Sequence, residues 1–147
     1  RKALAEFKAL KARYPDSQYA KEVDNKIRIC DDSLAAQEMV VGRGYLKKKQ
    51  HMAAIGRFKT VVTEFQTTQH VEEALMRLTE SYMILGIKNE AQNAAAVLGH
   101  NFPDSPWYKD AYALLQSDGL APREESGSWL SKAWQGIKVP KLSMSSQ

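Results

Sequence analysis

Three histidines, one cysteine and seventeen carboxylates are the side chains of this 147-residue chain that could move a proton or hold a metal. His51, His70 and His100 stand far apart in sequence, Cys30 has no second thiol to share an ion or a disulfide with, and no HExxH or Gly-rich phosphate loop is present. Acids such as Glu72, Glu73 and Glu80 fall where the solvated face of a helix would put them. The pattern predicts no catalytic residue, no metal and no cofactor.

The chemistry that remains is that of docking. Arg43, Lys47, Lys48, Lys49 and His51 cluster where a long helical pattern ends. There they complement the negative end of the helix dipole, or offer an electropositive rim to an acidic partner surface or lipid head groups. Arg57 has Ala53, Ala54, Thr60 and Val61 three and four residues away, so no acid on its own helix can pair with it. Its guanidinium either bonds a neighbouring helix, with Glu38 as the candidate, or faces a partner. Trp129, Ala133, Trp134 and Ile137 share one face of a short amphipathic piece, WLSKAWQGI. That piece caps the open end of the fold by covering its last helix, enters a partner's groove, or lies in a membrane interface. Net charge is +4, but bases and acids alternate along the chain, so no nucleic-acid partner is expected.

The elements that position these residues are helices. From residue 18 to 48 the chain has no proline, and Tyr19, Val23, Ile27, Cys30, Leu34, Val41 and Tyr45 recur at steps of three, four or seven. That keeps one stripe on one face of a single helix about 46 Å long, a spine for shorter helices. Three segments also align without gaps, starting at Ala3, Ala54 and Ala91. In each, the small residue is followed four on by Phe7, Phe58 or Ala95, then by Leu10, Val61 or Leu98. A closing aromatic comes next, Tyr14, Phe65 or Phe102, and Pro15 or Pro103 follows two of the three. This is the second-helix half of a tetratricopeptide repeat. Gly42 with Tyr45, and Thr79 with Tyr82, supply the first-helix half. Ser105 before Pro106 reads as an N-cap before an N1 proline, and Asn89 with Gln92 as a capping pair.

The closing aromatics are 51 and then 37 residues apart, against a standard period of about 34. The excess in the first interval lies in the long helix. The expected fold is therefore an all-α tetratricopeptide-repeat solenoid with one unusually long helix over residues 18–48. Residues 1–116 form the array, comprising the end of one repeat, two further repeats and a terminal helix. Residues 117–147 form a polar linker and a short amphipathic tail, of which the final SMSSQ reads as disordered. The chain opens inside a helical pattern with neither start methionine nor N-cap, which implies that an upstream part is missing.

Leu34, Ala35, Glu38, Val41, Gly42 and Tyr45 spell a segment that resembles the BamD (ComL) lipoproteins of the outer-membrane β-barrel assembly machine. The turn YPDSQYAKE from Tyr14 and the 51-residue interval resemble the family too. The resemblance covers residues 1 to about 116; Arg43 and Gly44 depart from it, as does the tail. It implies the C-terminal half of a five-repeat, non-catalytic scaffold at the periplasmic face of the outer membrane. Signal and lipid anchor would lie upstream, and that anchor would be the chain's membrane attachment. It further implies docking on a POTRA domain of the barrel subunit, with Arg57 matching an arginine of that contact, and association with other assembly lipoproteins. Two alternatives are another periplasmic repeat protein, such as a Tol-Pal or cell-division coordinator, and a helical accessory region of a cell-wall enzyme. The uneven interval argues against the first.

Overall fold

A computed structural model describes residues 1–14 and 19–135. Pro15, Ile137 and the terminal SMSSQ lie outside the described residues, so the expectations placed on them do too. All regular structure among the described residues is helical: α1 Lys2–Arg13, α2 Ala20–Lys47, α3 His51–Glu64, α4 His70–Ile84, α5 Lys88–Asn101, α6 Pro106–Ser117 and α7 Trp129–Gln135. Successive helices α1 to α5 pack on their neighbours, and α4 also touches α2 and α6. This is the expected tetratricopeptide-like array.

The long helix forms without a break over 28 residues. Its buried stripe differs from the expected one. Val23, Ala35, Met39 and Gly42 are buried, whereas Tyr19 is 60% exposed and Val41 is also exposed. The reason is that α2 packs against three helices, α1, α3 and α4. At those crossings small side chains let backbones approach, and the large ones at Leu34 and Tyr45 pack beside the contact, half-buried.

Gly42 shows why. A Cβ on it would lie 2.7 Å from Cε1 of Phe58, whose ring is completely buried. In the next repeat the pairing is inverted in size: Thr79 stands in the small slot and Ala95 in the aromatic one, both fully buried. The closing aromatics end their helices as expected. Tyr14, Phe65 and Phe102 are the C-caps of α1, α3 and α5, and their amides donate to Leu10, Val61 and Leu98 carbonyls.

Each first helix of a pair also closes by one device. Gln50, Ile87 and Leu120 amides reach back to the carbonyls of Tyr45, Tyr82 and Leu115, all at 2.9 Å. The residue before each adopts the left-handed conformation: Lys49 at φ 59°, Gly86 at 78° and Gly119 at 73°. This is the Schellman closure that glycine favours, and only the first turn makes it with a side chain present. Ser105 caps α6 as expected, accepting from the Trp107 amide at 3.2 Å with Pro106 in the first turn. Asn89 and Gln92 do not cap α5. That helix starts at Lys88, directly after the Gly86 turn, with Ile87 as N-cap and no side-chain cap bond.

Phe58→Ala is expected to cost about 3–5 kcal/mol in chemical denaturation, as for an aromatic removed from a filled core. Gly42→Ala should cost about 1–3 kcal/mol by forcing α2 and α3 apart. Lys49→Gly should do the opposite, raising stability by about 1 kcal/mol through relief of the left-handed strain.

Candidate functional site

The charged side chains are brought together across helices. On α2, Arg43 Nη1 donates to Glu73 Oε1 of α4 at 3.0 Å, and Arg77 Nε donates to the other oxygen of the same carboxylate at 3.2 Å. Arg77 also reaches Glu80 and lies 5.5 Å from the Trp107 ring centroid of α6. Glu73 is thus the hub of a network tying α2, α4 and α6 together, although sequence spacing alone places it on a solvated face. Arg43 comes from thirty residues away, a distance at which local periodicity carries no signal.

Arg57 finds its partner on the neighbouring helix. Its Nη1 donates to Glu38 Oε2 at 3.3 Å, with the arginine side chain 44% exposed and the glutamate 19% exposed. The bond to Glu38, with Tyr45 adding to it, holds the guanidinium pKa above its ordinary value. Of the two alternatives for Arg57, the internal one is occupied, but with Glu38 and Tyr45 engaged the side chain carrying the five-donor fork is still 44% exposed. Lys47, Lys48 and Lys49 are exposed, and none has an ion-pair partner among the described residues. His51, at the start of α3, is half-buried.

The segment after α6 is tied down. The Arg123 amide donates to the Gln92 carbonyl at 3.2 Å, and Gln92 Nε2 returns a bond to Ala121 O at 3.0 Å. Asn93 Oδ1 accepts from the Glu125 amide and the Ser131 hydroxyl, while Ser128 donates to Glu90 at 2.7 Å. These α5 side chains turn the strand-like strap back along their own helix, and α7 therefore lands on α3 and α5. The expectation that Trp129 and Trp134 cover the last helix is corrected: α6 is not their seat. Leu130 is the buried anchor, 1% exposed. Trp129 Nε1 donates to the Tyr82 hydroxyl at 3.0 Å, Lys59 Nζ sits 4.5 Å from the Trp129 ring centroid, and Gln66 Nε2 donates to Ala133 O at 3.2 Å. Burial raises the Tyr82 phenol pKa against the lowering effect of the indole bond. Trp134 is half-buried beside Val97, His100 and Asn101, and its indole N–H has no partner among the described residues.

Among the described residues no group of three or more His, Cys, Asp or Glu gathers as a metal site would, and no helix is long and apolar enough to cross a membrane. What the structure presents is a stacked array with a charged flank and an exposed lysine turn. The family described as "Outer membrane lipoprotein", YfiO, matches residues 1–98. The chain belongs to this YfiO, or BamD, family. Among similar proteins, the "Outer membrane protein assembly factor BamD" of Caulobacter vibrioides is 50% identical over 123 residues, covering 84% of this chain and 40% of that protein. The protein of the same name from Rickettsia prowazekii is 48% identical over 76% of this chain and 44% of its own length. A third, from Neisseria meningitidis serogroup A, is 35% identical over 76% of the chain and 42% of its length. The chain thus spans about two fifths of these relatives. The match to the Caulobacter protein is longer than the family's 98 residues.

Leu130→Asp places an unpaired charge in the seat of α7 and is expected to release it. Amide hydrogen exchange should then speed up over residues 129–135, and the α3–α4 amides should keep their protection.

Proposed function

We propose that this chain is part of a non-catalytic scaffold of the machinery that inserts β-barrel proteins into the outer membrane. In this reading it holds a POTRA domain of the barrel subunit in fixed orientation at the periplasmic face of the membrane, alongside other assembly lipoproteins, while an upstream lipid anchors the whole protein. The family membership and the names of the relatives support the assembly role. The observation that carries the docking role is Arg57: it is half exposed on the flank of a rigid helix, oriented by Glu38, with free donors facing outward. A planar fork so held suits a carboxylate on a partner domain, and lysine would be a poor substitute. Arg43 supports the surface from within, since Glu73 occupies it and fixes α2 against α4. Trp129 holds α7 to the array through Tyr82 and serves cohesion.

A charge swap separates the internal from the external use of Arg57. Arg57→Glu is expected to weaken docking to the purified POTRA domains about 30-fold in titration calorimetry. The double variant Glu38→Arg with Arg57→Glu restores an internal pair and should recover the melting temperature without recovering docking. Recovery of docking in the double variant would show that Arg57 acts only through Glu38.

A further inference from the structure

Lys49 is the one residue other than glycine in the left-handed conformation among the described residues, at the position where the two equivalent turns carry Gly86 and Gly119. A lysine there keeps a strain that glycine would remove, and backbone strain retained at an exposed turn points to a use for the side chain. Its neighbours Lys47 and Lys48 are exposed as well. Because α2 and α4 run in the same direction in the array, their C-terminal turns lie on one edge. The second turn of that edge exposes Ile84 (58%), Leu85 and Ile87, and the helix following the first turn exposes Met52 (68%). Of the acids along the same edge, Asp118 is paired with Lys88 at 3.3 Å and Glu90 accepts from the Ser128 hydroxyl at 2.7 Å. The edge therefore combines unpaired ammonium groups with exposed aliphatic side chains at turn tips, with no counter-charge of its own facing the lysines among the described residues.

We infer that this edge rests on an anionic phospholipid surface, with Lys47, Lys48 and Lys49 on the phosphates and Ile84, Leu85 and Ile87 in the head-group layer. An acidic protein surface covers both only where its own carboxylates and apolar side chains match the spacing of these groups. A phospholipid interface takes both, because phosphate charge and apolar boundary are stacked within a few ångströms of one another. The inference rests on the family's outer-membrane location and is independent of POTRA docking. It gives the array a second attachment besides the expected lipid anchor, one that sets which edge of the solenoid faces the membrane. Basic residues near an anionic bilayer contribute additively and are screened by salt, so three lysines suffice for orientation while leaving the contact reversible.

The test is vesicle flotation of the whole chain with phosphatidylcholine vesicles, alone or containing phosphatidylglycerol. Flotation is expected only with the anionic vesicles and should fall as salt is raised. The triple variant Lys47→Gln, Lys48→Gln, Lys49→Gln should bind roughly a hundredfold more weakly, and Ile84→Asp with Ile87→Asp should also weaken binding while leaving the circular dichroism spectrum unchanged. Equal flotation of the lysine variant, equal affinity for neutral vesicles, or no flotation of the parent chain would each overturn the inference. Retention on immobilised polyglutamate without flotation would overturn it in favour of an acidic protein. Arg57→Glu should leave flotation intact, so a failure of POTRA docking and a failure of lipid binding are read separately.

Discussion

The closeness of α2 and α3 at Gly42 and Phe58 sets the geometry on which the remainder depends. With no Cβ at Gly42, the Phe58 ring lies against the α2 backbone and closes the first helix pair around a fully buried aromatic. That crossing fixes where α3 points, and α3 and α4 in turn fix each other through Val61, Val62, Val71 and Leu75. Arg57 stands one residue before Phe58, so its flank position is a consequence of the ring's burial. Widening the crossing by one methyl group would move the guanidinium on α3 away from its Glu38 partner on α2.

The ion pairs act within this frame. Glu73 accepts from Arg43 and Arg77 while largely shielded, so its attraction is less screened than that of a surface pair. The arginines remain partly exposed, however, and pairs of that kind contribute little net stability. Their effect is on register: α2 and α4 have few other mutual contacts, and the Arg43–Glu73 pair defines how far one slides along the other. A long helix with a single apolar stripe could shift by a turn at modest cost. The Arg43–Glu73 bond, the one of the two that crosses between helices, favours one alignment together with the His70–Asp32 contact.

What was legible in the sequence is what depends on local order. The repeat register, the unbroken α2, the closing aromatics at Tyr14, Phe65 and Phe102, and the Ser105 cap follow from spacing within one or two turns of helix. Local spacing placed the α2 stripe on Val23, Ile27, Cys30, Leu34 and Tyr45, which are buried or half-buried, but it missed Ala35, Met39 and Gly42 beside that stripe and included Tyr19 and Val41, which are exposed, because a helix with neighbours on several sides buries more than one line of residues. It also missed the roles of Glu73, Asn89 and Gln92, whose partners lie 29 to 34 residues away in sequence. The seat of α7 was open for the same reason. An amphipathic face states that a helix packs, and the polar side chains of α5 that steer the strap decide where.

The strap changes how the open surfaces of the array are counted. By laying α7 across α3 and α5, the chain covers the side of its second helices and engages the Trp129 indole N–H with the Tyr82 hydroxyl. Among the surfaces left open in the described residues are the flank bearing Arg57 and the turn edge bearing Lys49, and they differ in kind. The flank is a pre-oriented point charge on a well-packed helix, suited to one carboxylate in one geometry. The edge is a row of flexible ammonium groups over aliphatic tips, tolerant of position and suited to a surface with no fixed pattern. Under the proposed reading the two complement each other, a specific contact fixing a partner relative to the array and a diffuse one fixing the array relative to the membrane.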